Sequence, residues 1–392
     1  MSTLSETQQP TLSTLTLTDE QRSFVEAIRD FSARECGTRE QRDALTDNGS
    51  EPHNQELYER IAELGWLGVA IPEQYGGSGG GALDLCLLCE EFARGQIPMG
   101  FFSVSMITAR AFERFGTDEQ KQEILGGVAR GRVEAIAMSE PEAGSDVGNL
   151  SCRAQREDGG YLINGQKTWI TAAHAADHIL LVCRTNRTDN KHEGLSMISV
   201  PTDADGLEVR AIETMGGREV NDVFFTDCFV PAERLLGQQD QGWMQLMAGL
   251  NHERLIIAAQ ALGMAQRAFD DVLSYVKERK QFGRPIGSFQ ALRHRLADLA
   301  TELESTRVLV YDVARRVDAT PERLFPREAS MAKLAATELA KRATLEAMQM
   351  MGGYGYAVEY DMERQVRTAV VTTIYGGTSE IQRDIIAKTL GL

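Results

Sequence analysis

The 392-residue sequence is short of positive charge, with 41 Lys and Arg against 57 Asp and Glu and a formal net charge of −16. Nucleic-acid binding depends on neutralising phosphates with Lys and Arg, so this balance argues against such a partner. Long apolar runs are also missing. A bilayer-spanning helix needs roughly 20 apolar residues in a row, whereas the nearest candidate, LIIAAQALGMA (255–265), is shorter and holds Gln260; no membrane role is expected. The opening stretch MSTLSETQQPTLSTLTLTDE has no Lys or Arg before Arg22 and already carries Glu6. It lacks the basic start of a secretory signal and the Arg-rich character of a transit peptide. It reads as a disordered Ser/Thr-rich tail over 1–17, and a cytoplasmic location is expected. Cysteines are few and scattered, at 36, 86, 89, 152, 183 and 228. Only Cys86 and Cys89 are close, inside the apolar helical pattern DLCLLCEEF, with no second pair and no nearby His, so they read as core and no metal site is expected. Nothing demands an oxidising compartment.

What the chain does have falls into three textures. Residues 18–130 are patterned as helices: Thr18 with Gln21 forms a capping box, and Phe24, Ile28 and Phe31 recur at helical spacing. Residues 131–237 consist of short β-rich runs (VEAIAMSE, YLINGQKTWIT, HILLVCRT, LSMISVP, NDVFFTDCFVP) separated by Gly, Asp and Asn, which predicts an antiparallel sheet or barrel. Helical patterns return over 238–392, including a run over 329–351 that stops at Gly352-Gly353, a common helix terminator. Helices, then sheet, then helices is the α+β arrangement, distinct from the alternating βαβ of a nucleotide-binding sheet.

Phosphate-loop readings mostly fail. YGGSGGGALDL has neither a β run leading into a well-spaced G-x-G-x-x-G nor a P-loop lysine, and reads as a flexible connection. AMSEPEAGSD (137–146) is more specific, because Pro141 and Gly144 break the chain directly after a β run and Ser139, Ser145 and Asp146 offer polar groups. In QKTWITAA (166–173), Trp169 and Thr171 are two apart, so in a strand both face one side. A ring and a hydroxyl on one face suit a planar heteroaromatic group, and equally suit an ordinary half-buried strand.

Together AMSEPEAGSD, NGQKTWIT, RKQFGRPIGSFQ (279–290), QMMGGYGY (349–356) and IYGGTSEIQ (374–382) resemble the acyl-CoA dehydrogenase family, in order and spacing, from about residue 18 to the C-terminus. The resemblance implies an N-terminal helical domain, a central β-domain and a C-terminal four-helix bundle, assembled as a homotetramer. It implies FAD as cofactor, α,β-desaturation of an acyl-CoA or acyl-carrier thioester with hydride passing to flavin N5, and an electron-transferring flavoprotein as partner. Carried over residue by residue, Met138, Ser139 and Ser145 line the flavin and pyrophosphate, Trp169 packs on the flavin, and Thr171 bonds its edge. Arg279, Phe282 and Gln290 make adenine-side and pyrophosphate contacts and, with Gln349, Gly352 and Gly353, come from a neighbouring subunit. Thr378 and Glu380 close over the flavin. Ser145, Asn251, Arg254, Gly376 and Gly377 contact the substrate, and the stretch 96–109 lines its tail pocket.

The catalytic base is the point of departure. Many family members carry a Glu where this chain has Gly376. In LMAGLNHERLIIAAQALGM (246–264), helical spacing puts Leu246, Leu250, Ile257, Ala261 and Met264 on one stripe with Glu253 in its middle. Carboxylates rarely occupy apolar faces without a partner or a task, and burial would raise the pKa of Glu253 and strengthen it as a base. The isovaleryl-type and long-chain branches place their Glu in this helix, in a setting like LNHERL, so the expected base is Glu253. The resemblance implies that the backbone N–H of Gly376, with a flavin ribityl hydroxyl, holds the thioester carbonyl oxygen; a glycine keeps that donor without adding a second carboxylate. Two competing readings are an oxygen-using flavin monooxygenase or oxidase on the same fold, and a non-catalytic subunit of a hetero-oligomer.

Overall fold

The computed structural model describes residues 17–392, apart from the side chains of Leu250 and Asn251. Residues 1–16 of the expected tail lie outside the described set, whereas Leu17 is buried. Helices α1 (Asp19–Cys36), α2 (Arg39–Thr46), α3 (Gln55–Glu63), α4 (Ala82–Arg94), α5 (Phe102–Phe115) and α6 (Asp118–Ala129) come first. The Thr18–Gln21 capping box starts α1 as its sequence predicts. Strands β1 (Glu134–Ala137), β2 (Arg153–Glu157), β3 (Gly160–Thr171), β4 (His178–Arg184), β5 (Leu195–Pro201), β6 (Leu207–Thr214), β7 (Gly217–Pro231) and β8 (Leu235–Leu236) follow. They form one sheet in the order β6-β7-β3-β2-β4-β5-β8, antiparallel except where β1 and the first residue of β2 run parallel to β4. The chain closes with α7 (Gly242–Glu278), a short hairpin of β9 (Lys280–Gln281) and β10 (Arg284–Pro285), α8 (Gln290–Ala319), α9 (Pro326–Met351), α10 (Gly353–Tyr356), α11 (Met362–Val371) and α12 (Ser379–Thr389).

The axis of the fold is α7, which packs along both α4 and α9. Its stripe is apolar enough to be buried: Leu255, Ile256, Ala258, Ala259, Ala261 and Leu262 are all at or below 2 % exposure. At Gly263 the helix touches α4 so closely that a Cβ would collide with the Glu90 carbonyl oxygen. Buried charge fastens the two helical regions together. Arg307 of α8 donates to Glu90 of α4 at 2.9 Å, the Tyr311 hydroxyl donates to the other oxygen of Glu90, and Arg42 pairs with Asp361. Such groups are rarely buried unless paired. The glycine loop before α4 is packed rather than open, since a Cβ at Gly77 would run into the Ile71 carbonyl. Cys86 and Cys89 lie in the core, as their helical setting predicts.

Candidate active site

Glu253 sits on the inward face of α7 at 8 % exposure. The chain returns to it about 120 residues later. Gly376 and Gly377 turn between α11 and α12 with φ of +62° and +81°, a left-handed region where glycine pays no steric penalty. A Cβ built on Gly376 stands 3.5 Å from Glu253 Oε1 and collides with Ile257 Cδ1. Residue 376, Ile257 and the Glu253 carboxylate therefore converge on one point. The Gly376 carbonyl accepts from Gln382 Nε2 (3.0 Å), and the Gly377 carbonyl from Gln382 Nε2 (2.9 Å) and Lys333 Nζ (2.9 Å). Among the described residues neither glycine N–H has a partner. Both carbonyls are tied back and both donors are left available.

Burial pushes the Glu253 carboxyl above its ordinary range, against the opposing charges of Arg254 and Lys333. Arg254 is buried beside it, and Asn251 lies on the same helix with its side chain outside the described set. His252, one residue earlier, turns instead to α5, where its Nε2 accepts from Arg110 at 3.1 Å. Burial and the Arg110 and Arg114 charges push its pKa down to about 3, so it is neutral at neutral pH. Ile107, within the 96–109 stretch, lines a narrow cavity with Leu246 and Gly249, a helical turn before Glu253.

A second group of residues gathers at the edge of the sheet. Thr168 N–H donates to Ser139 O at 3.0 Å, which sets the 138–146 segment alongside β3. β3 bulges between Lys167 and Ile170, and Trp169 takes a φ of +62° there. That conformation is an outlier for a bulky residue. The indole is 60 % exposed, Ile170 is buried and Thr171 is half-buried. Lys167 is fully buried. Its Nζ donates to the Met138 carbonyl (2.9 Å) and to Glu140 Oε1 (2.8 Å), while Glu140 accepts from Ser151 N–H (2.6 Å), Ser151 Oγ (2.8 Å) and Cys152 N–H (2.9 Å). Ser145 is exposed at the tip of the segment.

The third group lies elsewhere. Arg279 caps the end of α7 and stacks on Tyr354 at 5.1 Å, joining the hairpin with its 93 % exposed Phe282 to Gly352-Gly353 at the end of α9. Gln290 and Gln349 are exposed nearby in the chain, and a Cβ at either Gly352 or Gly353 would meet nothing within 4 Å. The helix between Glu253 and Arg279 is roughly 40 Å long at ~1.5 Å per residue. Within one protomer, these residues do not join the Glu253 site. In the α12 turn, Thr378 Oγ1 caps Ile381 N–H at 3.3 Å, and Glu380 is exposed beside Arg383.

Family models match almost the whole chain: acyl-CoA dehydrogenase N-terminal domain over 18–132, middle domain over 135–228 and C-terminal domain over 240–391. The chain belongs to the acyl-CoA dehydrogenase family. It is 38% identical over 380 residues to a probable acyl-CoA dehydrogenase, YngJ, of Bacillus subtilis, covering 95% of this chain and 98% of that protein. It is 35% identical to the mitochondrial isovaleryl-CoA dehydrogenase of Arabidopsis thaliana (96% and 93% covered) and 36% identical to the caffeyl-CoA reductase-Etf complex subunit CarC of Acetobacterium woodii (95% and 98%). The crystal structure of an acyl-CoA dehydrogenase from Geobacillus kaustophilus superposes with a TM-score of 0.90 at 34% identity, covering 96% and 99% of the two chains.

Acyl-CoA dehydrogenases are FAD-dependent oxidoreductases, and the donor set here fits that cofactor. An isoalloxazine ring wants a flat apolar surface and uncharged polar groups at its edge; the exposed indole of Trp169 is on the strand that also carries Thr171 and that Thr168 N–H ties to the Ser139 segment. A pyrophosphate wants a guanidinium fork, which Arg279 carries next to two unobstructed glycines. Sequence reading missed the Lys167–Glu140 pair that braces this acyl-CoA dehydrogenase loop, although both residues lie inside the motifs SEPEAGSD and GQKTWIT. It put Ile257 on the Glu253 stripe without a place in the site, and it missed Lys333. A Lys in an apolar helical run (SMAKLAA) was the available signal for the latter.

Proposed function

We propose that this chain desaturates an acyl-CoA at Cα–Cβ with Glu253 as the base. The convergence of the Glu253 carboxylate with the side-chain direction of residue 376 carries this reading. Glu253 Oε takes the α-proton. Its raised pKa, caused by burial, makes the carboxylate a stronger base than one in water. The N–H of Gly376, which has no partner among the described residues, donates to the thioester oxygen, where negative charge develops as the proton leaves. When bound, FAD would supply the acceptor for the β-hydrogen and its electron pair. Met138, Ser139, Ser145, Trp169 and Thr171 would hold the flavin and pyrophosphate, with Thr378 and Glu380 closing from the α12 side. Asn251, Arg254 and Gly377 flank the thioester, and residues 96–109 line its tail. The base position and the likeness to an isovaleryl-CoA dehydrogenase favour a substrate of that type. The likeness to CarC, named for an Etf complex, favours an electron-transferring flavoprotein as acceptor.

The test is anaerobic titration with straight-chain and branched acyl-CoAs. Bleaching of the flavin by at least one CoA ester, without peroxide on admission of air, is expected. If only carrier-protein thioesters bleach it, the CoA assignment fails; reduction that yields peroxide at every turnover would favour the oxidase reading, to which Gly376 alone lends weight.

Arg279, Phe282, Gln290, Gln349, Gly352 and Gly353 are proposed to complete the FAD site of a neighbouring protomer in a homotetramer, because they lie too far from their own Glu253. Cofactor and assembly are then linked by mass action. Arg279→Ala should weaken FAD retention and loosen the oligomer together, as seen by absorbance and sedimentation. A monomer carrying stoichiometric FAD would rule out a shared site.

A further inference from the structure

Lys333 is a buried cation without an ion pair. It lies on α9 at 0 % exposure, and no carboxylate among the described residues comes within ion-pair distance. Its Nζ instead donates to the Gly377 carbonyl at 2.9 Å. The charged groups around it are Glu253 and Arg254 of α7, Glu338 further along α9, and Glu380 of α12. Glu338 is committed to Ser379 Oγ (2.6 Å) and lies 3.8 Å from Arg383, and Glu380 faces solvent. Glu253 is a buried carboxylate on which the charges of Arg254 and Lys333 both act. Burying an ammonium is costly unless its donors are used, and here the donor is spent on the turn that faces the base.

Resting on the reading of Glu253 as the base, we propose that Lys333 is a positioning residue for the reaction: it clamps the Gly376–Gly377 turn by its carbonyl face and supplies the counter-charge to the Glu253 carboxylate. Two consequences follow. With the carbonyls held by Lys333 and Gln382, the Gly376 N–H stays aimed at the thioester oxygen. With an ammonium nearby, Glu253 stays ionised despite its apolar stripe. Burial, opposed by Glu253, Glu338 and Glu380, lowers the Lys333 pKa to about 8. The clamp and the counter-charge are therefore present below that pH and lost above it.

In the FAD-loaded enzyme, the rate of anaerobic flavin reduction should fall on an alkaline limb near pH 8. Lys333→Arg keeps the charge at all accessible pH and should remove that limb. Lys333→Met should move the acid limb upward and lower the reduction rate roughly 10- to 100-fold, the range of one charged hydrogen bond, with a smaller change in KM. In both loaded and FAD-free protein, Lys333→Met should speed amide exchange across 374–378, a readout independent of which group is the base. Glu253→Gln tests the base reading separately: its failure to slow reduction leaves the exchange result standing. Unchanged exchange with unchanged pH limbs would reduce Lys333 to a core residue. Should the Met variant fail to fold, persistence of the pH 8 limb in Lys333→Arg overturns the proposal on its own.

Discussion

Glu253→Gln is expected to bind acyl-CoA and to reduce its flavin about 10²–10⁴-fold more slowly, the contribution of a positioned general base. The wild-type rate should rise with pH through a value above the ordinary 4.5 of a glutamate, because burial raises the carboxyl and only its ionised form accepts the proton. The geometry also says how to rebuild the base. Gly376→Glu points a carboxylate at the same spot, but its Cβ meets Ile257 Cδ1, and φ of +62° strains any side chain there. Glu253→Gln/Gly376→Glu should therefore recover little. Adding Ile257→Val, which deletes the obstructing methyl, should recover more, though incompletely, since a misplacement of about 1 Å can cost on the order of 10²-fold. Stopped-flow reduction of the three variants decides it; full activity in Glu253→Gln would remove Glu253 from the mechanism.

Lys167→Met should destabilise the protein by about 3–5 kcal/mol, the cost of stranding one member of a buried pair, and should release FAD. Glu140 would keep two backbone donors but lose its cation. Replacing both partners, as Lys167→Met/Glu140→Leu, should restore much of the stability and little of the cofactor affinity, because the Met138 carbonyl and the Ser151 and Cys152 N–H groups remain without partners. Urea unfolding and FAD titration separate the two effects. Burial raises the Glu140 carboxyl, but Lys167 and the two N–H groups outweigh it and hold it below 4.5. The stabilisation from this pair is therefore present at neutral pH and is lost as pH falls through the lowered value. A double variant with wild-type FAD affinity would make the pair a core feature only.

The element order and the place of Glu253 were legible because both rest on local periodicity: an acidic residue inside an apolar stripe is visible in one dimension. The resemblance gave Gly376 a backbone N–H for the substrate, but its convergence with Ile257 was not legible, since Ile257 lies more than 100 residues earlier. The clamp from Lys333 and the brace from Lys167 were hidden for the same reason. A lysine in an apolar run does not announce which carbonyl or carboxylate it will meet. The alternation of QKTWIT assumes an unbroken period of two, which carries no information about backbone handedness, so the bulge at Trp169 was invisible. The separation of the Arg279 group from Glu253 needed the observed length of an unbroken α7.

That length gives α7 the mechanics of a lever with its fulcrum at Gly263, where contact with the Glu90 carbonyl leaves no room for even a methyl group. Glu253 lies roughly 15 Å to one side of this bearing point and Arg279 roughly 24 Å to the other, at ~1.5 Å per residue. A tilt of the helix about Gly263 swings the two ends in opposite senses, and the longer arm moves further. By that geometry alone, a given tilt about Gly263 would displace the Arg279 end further than the Glu253 end.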